Sequence, residues 1–170
     1  MGGPTPAGAV QKLKGLNCPG CGAALTLRAL EHTLTVVCGQ CMAILDAKDP
    51  HVQILQKFEA KQRVRPKIPL GSRGKLRGAA YQVIGFQVRT IVVEGVSYSW
   101  SEYLLFNPFK GFRYITEYNG HWNDVRTARA IPEPVSGTKP SVELFGDRYV
   151  HFQTATARTT YVMGEFPWRV

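Results

Sequence analysis

The chain is poor in long apolar runs, in cysteine beyond one short stretch, and in acidic residues. No apolar run approaches the roughly 18 residues of a membrane-crossing helix, so a helical span is excluded. The opening MGGPTPAGAVQKLKG lacks the hydrophobic core of a secretory signal, and its Gly, Pro and Ala content predicts a mobile tail over residues 1–15. All cysteines fall between Cys18 and Cys41, which leaves none for a disulfide framework and makes a reducing, cytoplasmic location the expectation. Asp and Glu number 12 against 21 Lys and Arg, a formal charge of +9. The excess is local, because residues 48–78 hold nine of the basic residues and only Asp49 and Glu59 of the acids.

What is present is most informative at residues 17–41, NCPGCGAALTLRALEHTLTVVCGQC. Cys18 with Cys21 and Cys38 with Cys41 form two Cys-x-x-Cys pairs separated by 16 residues, within the window of a zinc ribbon. Four thiolates complete a tetrahedral shell and leave no open position for water, so the expected cofactor is one structural Zn²⁺ rather than a catalytic one. Binding it lowers the net charge from +9 to about +7. Gly22 follows the first pair and can take the left-handed backbone such a knuckle uses, whereas Met42 stands at the equivalent place after the second, where strain or a different turn is expected. His32, midway between the pairs, is expected at a solvated hairpin tip.

The pattern predicts a mainly β protein of three parts after the tail: a zinc ribbon over 16–47, a helix and basic linker over 48–78, and an antiparallel β-sandwich or small barrel-like domain over 79–170. Within the ribbon, LTLRAL and TLTVV are expected to face each other as strands. Asp49-Pro50 is a helix start, with Val52, Leu55 and Phe58 on one stripe and a stop before Pro66. Beyond residue 78, aromatic and β-branched segments alternate with turns, of which Tyr118-Asn119-Gly120-His121 is the clearest hairpin. Asn107–Gly111 reads as a longer loop and Gly146-Asp147 as a further turn. In WSEYLLF, Trp100, Leu104 and Phe106 lie on one side and Tyr103 and Leu105 on the other, so both faces should be covered. The chain stops at Val170 directly after a patterned strand, which suggests a piece of a longer protein.

Lys57, Lys61, Arg63, Arg65, Lys67, Arg73, Lys75 and Arg77 are candidate anion-binding residues, for nucleic acid or an anionic membrane surface. A solvated helix face and charged linker explain them as well, since no aromatic platform interleaves with these charges. Trp100, Glu102, Tyr103, Glu117 and Trp122 are a candidate surface for a partner or a small cationic ligand, with core packing as the alternative. Glu102, Glu117, His121 and Asp124 lie in neighbouring strands, where cross-strand pairing competes with acid–base chemistry. Gly71-Ser72-Arg73-Gly74-Lys75 lacks the spacing of a phosphate loop. No catalytic residue is assigned.

The ordered strings CPGCG, CGQC, LDAKDP, LQKF, IPLGSRGKLRG, YQVIGF, WSEYLLFNPFKGFRYITEYNGHW and YVMGEFPW resemble the bacterial domain of unknown function family 4178, over about residues 16–170. The resemblance implies a zinc ribbon ahead of a β-rich domain, with Cys18, Cys21, Cys38 and Cys41 as ligands. It also implies an accessory role beside polyamine-synthesis-like enzymes or in envelope stress. The expected function is a non-catalytic zinc-binding interaction or scaffold module in a cytoplasmic assembly, with a protein partner.

Overall fold

The computed structural model describes residues 15–49, 53–57, 64–137 and 139–170. Among these the chain is strand and turn throughout, and no helix is long and apolar enough to cross a membrane. The first knuckle lies between β1 (Gly15–Asn17) and β2 (Ala24–Thr26), the second between β3 (Thr35–Val37) and β4 (Ala43–Asp46). There follow β5 (Ile54–Lys57), β6 (Arg73–Leu76), β7 (Ala79–Val93), β8 (Val96–Asn107), β9 (Gly111–Tyr118) and β10 (His121–Val125). The chain closes with β11 (Glu133–Val135), β12 (Ser141–Leu144), β13 (Asp147–Val150) and β14 (Arg158–Phe166).

Two expectations about the N-terminal half are corrected. LTLRAL and TLTVV do not pair with each other: β2 pairs with β1, and β3 with β4. Each Cys-x-x-Cys is itself the turn of a hairpin, so the ladder nearest in sequence forms across the knuckle. The helix expected after Asp49 is absent where the chain is described, because Ile54–Lys57 adds to the edge of β4 as β5. A short isolated helix is marginal, whereas an open ladder satisfies the same backbone groups at once. Pro50 of the predicted helix start, and Val52 and Phe58 of its stripe, lie outside the described residues.

All pairings are antiparallel, and the main sheet runs β10-β9-β8-β7-β14-β3-β4-β5, with β6 beside the start of β7. Among the described residues no closed barrel forms. The last strand, β14, is inserted between β7 and β3, so the cysteine unit and the C-terminal domain share one sheet. β11, β12 and β13 form a separate three-stranded sheet.

Four two-residue turns follow one pattern, a non-glycine and then a glycine, both with positive φ: Arg77-Gly78, Glu94-Gly95, Asn119-Gly120 and Phe145-Gly146. This is the type I′ geometry that matches strand twist. The expected Asn-Gly hairpin forms, with His121 opposite Tyr118. The turn expected at Gly146-Asp147 falls one residue earlier.

Both faces of the sheet are covered, as the two-sided apolar pattern of β8 requires. Ile84, Leu104, Phe106, Val162 and Phe166 pack on one face with Val37 and Ile44 of the ribbon. On the opposite face Phe86, Tyr103, Leu105 and Tyr161 are covered by Val64, Ile68 and Leu70. The stretch read as a linker is therefore a cover over the core. Val36 and Leu45 point the other way from Val37 and Ile44, into a ribbon core with Leu25, Leu27, Cys18 and Cys38.

Where β14 meets β7, two glycines allow the backbones close approach. A Cβ on Gly164, whose φ is +89°, would stand 2.2 Å from the Ile84 carbonyl oxygen, and one on Gly85 2.6 Å from that of Glu165. Between them Glu165, only 1% exposed, turns its carboxylate toward the ribbon. The Arg28 amide donates to Oε1 and Oε2 at 2.8 Å each, and the Ala29 amide to Oε2 at 3.0 Å. The Thr33 hydroxyl stands 3.1 Å from Oε2 and 2.9 Å from the Ala29 carbonyl, donating to one at a time. The Arg28 guanidinium lies 3.5 Å from Oε1. Replacing Glu165 by Ala strands two amides in the interior, so Glu165→Ala is expected to lower unfolding free energy by about 3 kcal/mol. Denaturant titration checks this; a loss under about 1 kcal/mol would show that the carboxylate does not fasten the ribbon.

Candidate functional site

The knuckles match in backbone detail. The Cys18 amide donates to the Ala23 carbonyl at 2.8 Å and the Cys38 amide to that of Ala43 at 2.9 Å. The amides of Gly22 and Met42 donate back to the carbonyls of Cys18 and Cys38 at 2.8 and 2.9 Å. Gly22 has φ 74° and Met42 φ 58°, so the second turn keeps the shape of the first and Met42 carries the backbone strain. Its side chain packs against both cores of the sheet, which explains a large residue at that place.

This brings the four sulfurs together. Cys18 and Cys41 stand 3.6 Å apart, as do Cys21 and Cys38, and all four Sγ atoms lie within 4.8 Å of one another. A tetrahedral ion with sulfurs at about 2.3 Å sets sulfur–sulfur separations of about 3.8 Å, so the cluster fits a single metal ion with small adjustment. Cys18 and Cys38 are buried while Cys21 is exposed. The Ala43 amide holds the Cys41 thiol down to about 7, while burial pushes the Cys18 thiol up and, against the Ala23 amide, the neighbouring thiols raise that of Cys21, so the protons are shared unequally across the cluster. His32 is exposed and is not part of this cluster; its ring lies 5.8 Å from those of Phe106 and Phe112.

The five residues offered as one partner surface are divided by strand alternation between the two faces of the sheet. Tyr103 is fully buried, with its hydroxyl accepting from the Lys67 amide at 3.0 Å and its ring 5.5 Å from that of Trp122. Glu117 is buried beside them, accepting from Lys67 Nζ and from the Gly120 amide, both at 2.7 Å. The Lys67 ammonium and then that amide hold the Glu117 carboxyl below the usual range. Trp100 and Glu102 lie on the other face, so no pocket contains both carboxylates. The acid–base grouping also dissolves: Asp124 pairs with Arg77 at 2.6 Å and Arg126 at 3.0 Å.

The basic stretch is similarly divided. Lys67 and Arg77 are used in ion pairs within the fold, while Arg65, Arg73 and Lys75 are exposed. Lys61, Arg63 and the side chain of Lys57 lie outside the described residues.

One feature escaped the sequence reading. On the Trp100 face, Ile91, Val93, Tyr98, Trp100, Thr116, Tyr118, Asn123 and Gln153 line a groove of about 500 Å³. Trp100 and Tyr98 were visible as alternating aromatics, but Gln153 arrives from the segment before β14, which no local pattern could place.

Residues 69–170 match the family described as Domain of unknown function (DUF4178). The chain belongs to that family. No curated protein and no solved structure matches it. The DUF4178 match begins after both knuckles, so it covers the cover segment from Pro69, β6 to β14 and the groove, while the cysteine cluster lies ahead of it.

The Lys67–Glu117 pair generates a pH test. Because the folded carboxyl is held below its ordinary value, the pair stabilises the fold above that value, and the contribution is lost as pH falls through the folded one. Lys67→Met should therefore be less stable than the parent chain at neutral pH, with the difference shrinking as the medium is acidified below about pH 4. Chemical denaturation across a pH series measures it; a gap independent of pH would assign the loss to packing alone.

Proposed function

We propose that the chain is a non-catalytic, zinc-clipped interaction module. Zinc suits the four-sulfur cluster because the ion has no redox chemistry and no geometric preference beyond the tetrahedron that the ligands offer. A shell closed by Cys18, Cys21, Cys38 and Cys41 leaves the metal no position for substrate, so its work is to hold backbone. The observation that carries this reading is that β3 and β4, which bear the second knuckle, lie inside the sheet that runs through the DUF4178 strands. The metal thus secures two interior strands rather than an appendage.

A protein partner is supported by the second sheet. Among the described residues β11, β12 and β13 share no ladder with the main sheet, and around them Phe145 is 73% exposed, Tyr149 51%, Val150 54% and Phe152 94%. Tyr149 and Val150 fall on opposite faces of β13, so this sheet presents large apolar groups on both sides, and exposed apolar surface of this kind is found at interaction sites.

The purified chain is expected to carry one zinc per molecule. Removing it with a chelator should raise amide exchange at Thr35–Val37 and at Gly164–Phe166 together, because the two segments pair. Iron in place of zinc, or a metal-free chain with both segments still protected, would overturn the clip. The partner half is tested with Phe145→Asp combined with Tyr149→Asp. Asp accepts the positive φ at position 145 more readily than Phe, so the turn is spared. A stoichiometric partner held by the parent chain and lost in the variant, at unchanged metal content, is expected; no such partner, or one still held, would overturn it.

A further inference from the structure

We infer that the groove on the Trp100 face is a binding site for a neutral saccharide. The inference goes beyond the metal and the protein partner and rests on the groove alone. Its floor is preorganised: Trp100 Nε1 donates to Glu102 Oε1 at 2.6 Å, and Glu102 Oε2 accepts from Gln87 Nε2 at 2.6 Å. Gln87 is only 7% exposed, so the hydrogen bonds that hold the indole plane run through half-buried Glu102 to an anchor in the interior. The wall that carries Gln153 is tied down as well, since Arg89 donates to the Ala157 carbonyl at 3.1 Å and to Thr159 Oγ1 at 3.3 Å.

The lining selects the class of ligand. It carries no formal charge, although the chain as a whole is at +9. An anion, and any nucleotide with its phosphates, would find no cation among the lining residues. β8 and β9, which form the floor, are paired on both edges; the edges without a ladder among the described residues are those of Ile91–Val93 and of β10 at the flanks, and a peptide strand added there would lie beside the floor rather than on it. What remains are aromatic faces from Tyr98, Trp100 and Tyr118, beside the hydroxyl of Thr116 and the carboxamides of Asn123 and Gln153. A sugar ring offers an apolar C–H face to aromatic rings and a rim of hydroxyls that both donate and accept. Carboxamides and hydroxyls also do both. The Asn123 carboxamide donates to the Thr116 hydroxyl at 3.3 Å, so an alkyl chain would fill the floor but offer nothing to Asn123 Oδ1 or to the Gln153 carboxamide, and a volume of about 500 Å³ lies within the range of small-ligand sites.

The test uses the full zinc-loaded chain and three uncharged probes: cellohexaose, chitohexaose and the apolar dye Nile red, followed by calorimetry and tryptophan fluorescence. At least one oligosaccharide should bind saturably below about 1 mM, with affinity unchanged between low and high salt. Trp100→Ala should weaken it by about tenfold or more and Asn123→Ala by several-fold. Tyr98→Ala, at a position 42% exposed, is the variant to use if Trp100→Ala proves unstable. Saturable binding of neither sugar up to about 10 mM, or binding insensitive to all three substitutions, would overturn the proposal. Nile red bound in a Trp100-dependent way and not displaced by either sugar would overturn it in favour of an apolar ligand. None of these outcomes bears on the clip, which the chelation experiment reads separately.

Discussion

The structure depends on one buried carboxylate. Glu165 stands on β14, between a sheet that follows it in space and a ribbon that precedes it in sequence by more than a hundred residues. A carboxylate taken out of water is costly unless its lone pairs are filled. Here two ribbon amides, the Thr33 hydroxyl and the Arg28 guanidinium supply that, and those amides in turn have no other acceptor among the described residues. The contact is therefore mutual, and it sets register as well as position. With Glu165 opposite Val36, Gly164 falls opposite Val37 and also at the close approach to Ile84, where no side chain could stand.

From this constraint follows a division of the main sheet along its strands. The half near the ribbon has a core on both faces, filled by Phe106, Phe166, Tyr103 and their neighbours. The far half of β7 and β8, from Arg89 and Trp100 outward, runs beyond those cores and ends at exposed Val92, Val96 and Tyr98. Long antiparallel strands anchored at one end can present their other end as a rigid surface, because the ladder continues where the packing stops. The groove lies on that continuation. Rigidity comes from hydrogen bonding beneath it, through Gln87 and Glu102, rather than from apolar burial around it.

Most of what is local was legible in the residues. The four cysteines were identified by spacing, the Asn119-Gly120 hairpin by its turn chemistry, and the opposed faces of β8 by alternation, and all three are in the structure. Two equivalent turns went unread and the third was placed one residue late, because Arg77, Glu94 and Phe145 are not residues that favour positive φ, and only the glycine after each gave a signal. The helix expected after Asp49 is replaced at Ile54–Lys57 for a different reason: β4 offered a free edge that sequence cannot show. The split of Trp100 and Glu102 from Tyr103 and Glu117 was already implied by period-two alternation, and grouping them by proximity in sequence obscured it. Nothing local announces Glu165 as the partner of Arg28, since their separation of 137 residues carries no pattern.

The same long separation explains why a metal clip belongs where it is. Pairing β14 with β3 joins the two ends of the chain, and such non-local ladders form late because the intervening loop must be closed first. A ribbon of three- and four-residue strands has too little core to wait in one shape for that event. A metal bound to four cysteines within 24 residues of one another needs only local closure, and it would hold Arg28, Ala29 and Thr33 in position before β14 arrives. Such an ion would prepare the amides that receive Glu165, and the carboxylate then fastens the ribbon into the sheet whose far end is left open to solvent.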